Sequence, residues 1–155
     1  MQLDLEWGTP IPLVDGQRDG LIYSLDLDAV DPDPGVYVFA RRWGKTIEAL
    51  YVGKSDNVQR RLRGQLNNLR LMRHVESAKA GRRVVIPAYA LARSGQRMAK
   101  VLATLERALI RHFLAEGHDL VNQQGVRIRR HEIQSTGAPR GLVPSPMYLE
   151  RARHG

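Results

Sequence analysis

Hydrophobic and polar positions along this 155-residue chain change period at punctuated points, and each period predicts an element. After the breaker Asp31-Pro32-Asp33-Pro34-Gly35, in which each proline restricts itself and its predecessor, comes the β-branched and aromatic run Val36-Tyr37-Val38-Phe39-Ala40. A polar stretch at 41–46 separates it from Ala49-Leu50-Tyr51-Val52-Gly53, and two such runs joined by a short loop predict an antiparallel hairpin. Ser55 or Asp56 is placed to cap a helix running to about Arg73, with Val58, Leu62, Leu66 and Leu69 on one face. Residues 83–91 suit a third strand, in which Pro87 predicts an edge position or a bulge because it has no N–H to give. Residues 96–115 carry the strongest helical period, with Met98, Val101, Leu102, Leu105, Leu109 and Phe113 as its stripe and Gly117 as its stop.

The flanks are less regular. Residues 1–20 read as an irregular lead-in, rich in Gly and Pro, and residues 21–30 as a strand or a turn or two of helix. Residues 126–134 alternate Val126, Ile128 and Ile133 with basic side chains. The expected architecture is α+β, a small central antiparallel three-stranded sheet flanked by helices. A segment at 1–34 leads into a core at 35–122, and a C-terminal β extension follows at 123–155.

Composition narrows the class. The chain has no cysteine, which removes disulfides and thiolate metal sites, and no apolar run of about 20 residues that would span a bilayer. The acidic start MQLDLEWGTP is unlike a signal peptide, so a cytoplasmic protein is the expectation. The net charge of +8 is strongly divided: residues 1–34 hold eight acids and one base, whereas the remainder holds 23 Lys/Arg and eight Asp/Glu. A stretch that basic attracts polyanions, which nominates nucleic acid as the partner.

Helix geometry then singles out a few polar residues. At about 100° per residue Glu106 lies roughly 70° from the centre of its helix's apolar stripe, on a shoulder that faces a packing neighbour. Arg61 and Gln65, four residues apart, share the equivalent shoulder of the earlier helix. A carboxylate, a guanidinium and the phenols of Tyr37 and Tyr51 are suitable parts for phosphodiester chemistry.

Gly35-Val36-Tyr37, followed fourteen residues after its tyrosine by Tyr51-Val52-Gly53, resembles the paired elements of the GIY-YIG nuclease superfamily. The likeness continues through Lys54, Arg61, Glu106 and Asn122, in that order, and spans residues 35–122. It implies a DNA endonuclease leaving 5′-phosphate and 3′-hydroxyl ends. In it Glu106 holds one Mg²⁺ (or Mn²⁺), Arg61 clamps the phosphate, Tyr37 is the candidate base, and Tyr51 positions a phosphate or water. Lys54, Gln65 and Asn122 support the site. A phenol with a pKa of about 10 is a poor base at neutral pH, so Lys54, Arg61 and the metal would have to lower it.

One position departs from the resemblance: many members carry histidine or tyrosine four residues after the arginine, where this chain has Gln65. Arg60, Arg63, Arg127, Arg129, Arg130 and His131 are candidate DNA contacts, and Trp43 in the hairpin turn is expected to pack, with stacking on a base as the alternative. His112 falls in the stripe of its helix and is expected to be packed, whereas His74 is expected at the surface. The competing class is a non-catalytic nucleic-acid-binding module on the same scaffold. Repair, restriction, mobile-element or toxin settings are equally open.

Overall fold

In the computed structural model residues 2–118, 120, 129–143 and 145–151 are described. The hairpin forms as β5 (Gly35–Trp43) and β6 (Thr46–Ser55), preceded by the short strands β1 (Asp4–Trp7), β2 (Ile11–Pro12), β3 (Val14–Asp15) and β4 (Tyr23–Ser24). The strands run further than the apolar pattern suggests, leaving Gly44 and Lys45 as the turn. Gly44 takes the left-handed φ of 55° that a two-residue hairpin connection demands of one of its residues. Helices α1 (Val58–Leu66) and α2 (Leu69–Glu76) follow, then β7 (Arg82–Leu91), α3 (Met98–Ala115), β8 (Arg129–Ile133) and β9 (Met147–Arg151).

The sheet is antiparallel and larger than three strands. Its order is β1-β7-β5-β6, and β2 also pairs with β7. Residues 1–20 are therefore not merely a lead-in: Leu5 pairs opposite Ala90 and Ile11 opposite Val85. β7 is consequently interior, which corrects the edge position expected from Pro87. Pro87 sits where β1 has ended and β2 has not begun, so its lack of an N–H costs no ladder bond on that side, and its carbonyl accepts from Gly8 N at 2.8 Å.

Strand alternation sends side chains to two cores. On one face Tyr37, Phe39, Leu50 and Tyr51 pack with Val58, Leu62 and Leu66 of α1 and with Leu71, Met72 and Val75 of α2. On the other, Val36, Val38, Ala49 and Val52 lie under α3 through Val101, Leu102, Leu105 and Leu114. A bulge decides who faces where. Phe39 pairs with Tyr51 but Ala40 with Ala49, so Leu50 is the extra residue, and Leu50 and Tyr51 enter the same core.

The single helix expected from residue 55 to 73 is two. Asn57, rather than Ser55 or Asp56, caps α1, its side chain accepting from Arg60 N at 3.0 Å. Asn68 leaves the helical region with ψ 91° and caps α2 by accepting from Leu71 N at 3.1 Å. Leu69 consequently lies outside the core at 51% exposure. At the end of α3, Gly117 (φ 91°) lets His118 N reach Phe113 O, the stop expected of it. The turn sets His118 so that its Nδ1 accepts from Ala49 N of edge strand β6 at 2.8 Å. Two other histidines differ from expectation: His112 is exposed near the C-terminal end of α3, and His74 Nε2 is buried with no hydrogen-bond partner among the described residues.

Candidate active site

Cross-strand register brings the two tyrosines together. Tyr37 lies opposite Gly53 and Phe39 opposite Tyr51, so Tyr37 and Tyr51 are diagonal neighbours on one face. Their ring centroids are 6.2 Å apart, with Phe39 edge-on at 6.0 Å from Tyr37 and 6.1 Å from Tyr51. The Tyr37 ring crosses Gly53, where a Cβ would overlap its terminal carbon and hydroxyl. The glycine of Tyr51-Val52-Gly53 is thus required by close approach of another side chain, since it has no positive φ.

Gln65 lies beneath both phenols and is buried at 4% exposure. Its Nε2 donates to the Tyr37 hydroxyl at 2.8 Å and, more weakly, to the Tyr51 hydroxyl at 3.4 Å. Its Oε1 accepts from Asn68 Nδ2 at 3.1 Å, and Asn68 Oδ1 is held by the N–H of Leu71. This chain of donors begins at a backbone amide, so it fixes the orientation of both side-chain amides. Asn68 has no signal in the sequence, because its place in the network depends on the helix break that puts it beside Gln65.

Arg61, exposed on α1, faces the two phenols. Its pKa is raised, chiefly by a hydrogen bond with the Tyr37 hydroxyl, so it stays a cation at every relevant pH. Burial first, then the neighbouring Tyr37, push the Tyr51 phenol well above the ordinary tyrosine range. Tyr51 therefore keeps its proton and can serve as a hydrogen-bond donor, not as a base. Tyr37 is wholly covered, at 0% exposure.

Lys54 and Glu106 stand on the opposite face of the sheet. Val36 pairs with Lys54, so Lys54 points with Val36 and Val52 toward α3. Its Nζ is 4.0 Å from Glu106 Oε1, while Glu106 Oε2 is buried with no hydrogen-bond partner among the described residues. Burial raises the pKa of Glu106, with Lys54 acting in the other direction. An orphaned carboxylate oxygen suits a hard cation that keeps most of its water. Among the described residues no cluster of three or more His, Asp or Glu side chains is placed to hold a metal.

The residues expected at the rims of one shared core thus lie on opposite faces of the sheet. Tyr37, Tyr51, Arg61 and Gln65 meet on the α1 side, Lys54 and Glu106 on the α3 side, and consecutive Gly53 and Lys54 connect them. Asn122 and Arg127 lie outside the described residues. Arg129, Arg130 and His131 are on β8, where only the backbone is described. Arg63 is exposed, and Arg60 is exposed with Asp56 at 3.2 Å.

No protein-family model matches the chain, and no curated protein or solved structure was found to be similar to it. What the site can do therefore rests on its own chemistry.

Proposed function

We propose that the chain is a divalent-cation-dependent DNA endonuclease of the GIY-YIG type, yielding 5′-phosphate and 3′-hydroxyl ends. The observation that carries the reading is the tether of Tyr37 and Tyr51 at Gln65 with Arg61 facing the Tyr37 hydroxyl, and the orphaned carboxylate of Glu106 on the other side of the same edge strand. Two phenols and a permanent cation form a set of donors for phosphate oxygens, and such donors lower the barrier most when they are held in place beforehand.

In this reading Arg61 takes one non-bridging oxygen of the scissile phosphate. Tyr51, kept protonated by its burial, donates to a phosphate oxygen or orients water. Gln65 occupies one lone pair of the Tyr37 oxygen, and Arg61 faces that hydroxyl. Movement of Arg61 onto a phosphate uncovers the phenol beneath it; Tyr37 would then release its own proton to solvent and, as the phenolate, take the proton of the attacking water. Glu106 is the residue that would hold Mg²⁺ or Mn²⁺, and such an ion supplies charge for the pentacovalent phosphate and the leaving oxygen. Lys54 favours the ionised form of Glu106, in opposition to its burial.

The complete burial of Tyr37 and the Lys54–Glu106 contact favour one other reading, a nucleic-acid-binding module on the same scaffold without catalysis. Incubating plasmid, single-stranded and branched DNA with the protein and Mg²⁺ or Mn²⁺ separates the two. Cleavage that is lost in Glu106→Ala supports the nuclease, and binding without cleavage of any substrate supports the module.

A further inference from the structure

Helix α3 carries a second face with no part in the chemistry above. At about 100° per residue, Arg97, Lys100, Thr104, Arg107 and Arg111 fall within an arc of roughly 80°. The centre of that arc lies about 140° around the helix from Glu106, so the body of α3 stands between this stripe and the Lys54–Glu106 pair. From Arg97 to Arg111 the stripe runs about 21 Å at roughly 1.5 Å per residue. All four cations are exposed, and none of their side chains has an ion-pair or hydrogen-bond partner among the described residues. Arg93, just before the helix, differs: it pairs with Asp4 at 2.7 Å.

The stripe works against its own helix. Arg97 is the N-cap residue and makes no side-chain hydrogen bond to the first turn, that turn contains no acid, and Lys100 adds a cation to it. Positive charge at this end opposes the helix dipole. Arg107 and Arg111, at i and i+4, repel each other. A face that served only to stay solvated would mix signs, as Arg60 and Asp56 do at the start of α1. Here the one carboxylate of the helix, Glu106, is turned toward Lys54.

The chemistry of the face selects its partner. The large apolar residues Val101, Leu102 and Leu105 lie in the core, so the stripe has no apolar anchor for a protein interface or a membrane. Among the cations stand Thr104 and Ala108, whose short side chains let a partner come close to the helix. A phosphate backbone requires little more than cations at intervals along such a surface. A duplex presents its phosphates already ordered, whereas a single strand would have to be straightened along the helix at a cost in entropy.

We propose that this face of α3 binds the phosphate backbone of double-stranded nucleic acid outside the reaction centre, without reading bases. The inference rests on the reading of the chain as a DNA-processing protein and deepens it, because it names the surface that holds the duplex. Binding there is the same before and during the reaction, so in cleavage it lowers KM and leaves kcat unchanged.

The test is done in EDTA, so that it is independent of cleavage. Anisotropy of a labelled duplex of about 20 base pairs should show at least about tenfold weaker binding for Lys100→Gln/Arg107→Gln/Arg111→Gln. The slope of log affinity against log salt should fall by about 2.7, three duplex phosphate contacts. The control Arg70→Gln/Arg73→Gln/Lys79→Gln removes the same charge from exposed positions on and after α2, which packs on the other side of the sheet, and should change both far less. Equal losses in the two variants, both folded by circular dichroism, would show net charge alone at work and overturn the face. Unchanged affinity in the α3 variant would do the same, as would displacement of the duplex by polyglutamate as effectively as by unlabelled DNA. A larger loss for oligothymidylate than for the duplex would overturn the choice of partner. Weakened binding by the α3 variant of a protein that cuts nothing leaves the face standing and removes the nuclease. Cleavage whose KM, like the affinity, is unaltered in that variant does the reverse.

Discussion

The side-chain amide of Gln65 is a donor to the hydroxyl of Tyr37 at 2.8 Å inside the core, and its direction is set by Asn68. A residue that departs from the resemblance thus has a defined physical role. It ties both tyrosines to one amide and occupies part of the Tyr37 oxygen.

Replacing Gln65 by Leu leaves two buried phenols and the Asn68 amide short of a partner. That should cost about 1–3 kcal/mol in urea unfolding with an unchanged m-value. A cost within about 0.5 kcal/mol of an exposed control such as Gln17→Leu would show the network to be idle. Asn68→Asp is the finer probe, because aspartate keeps the α2 cap but accepts where asparagine donates. Gln65 must then turn its amide, and Tyr37 must donate to it. DNA cleavage should fall about tenfold or more, with a changed pH profile and little change in stability.

Gly53→Ala puts a methyl group into the Tyr37 ring. The expected loss is about 1–3 kcal/mol, as in other overpacked cores. Paired with Tyr37→Leu, the double-mutant cycle should show a coupling of at least about 0.5 kcal/mol, and additive losses would place the strain elsewhere.

The hairpin, α3 and its Gly117 stop are legible in the sequence because their signals are local: alternation, helical period and a positive-φ glycine. Elements that depend on distant partners are not. β1 is four residues whose ladder partner lies more than 80 positions away in β7, and nothing in Asp4-Leu5-Glu6-Trp7 announces that pairing. Pro87 is the sharper case, since the gap that tolerates it is made by where β1 and β2 stop. The break at Asn68 is hidden because Leu66 and Leu69 keep helical spacing across it. In the site, motif and helix face single out Tyr37, Tyr51 and Arg61, and the structure groups them. Lys54 falls on the other sheet face by strand alternation, three residues past Tyr51, and Glu106 joins it there because α3 packs on that face.

Glu106→Gln should stabilise the protein at neutral pH. Burial raises the folded-state pKa of this carboxyl, so its contribution is fully present below the unfolded value of 4.5 and is lost as pH rises through the folded value. Removing the charge should therefore raise Tm at neutral pH by on the order of 2 °C, with the gain fading below the ordinary carboxylate range. Mg²⁺ or Mn²⁺ should raise the Tm of the parent protein and not that of the variant. A variant less stable than the parent at neutral pH would mean that the ion pair with Lys54 outweighs the desolvation of Glu106.

The most direct measurement is cleavage of plasmid and branched DNA by the purified protein with Mg²⁺ or Mn²⁺, with product ends tested by ligation. The predicted result is nicked or cut DNA whose ends religate without added phosphate. Excess EDTA should abolish it, and so should Arg61→Ala and Glu106→Gln variants shown to be folded. Full activity in EDTA or in Glu106→Gln, or no cleavage of any substrate with either metal, would contradict the assignment.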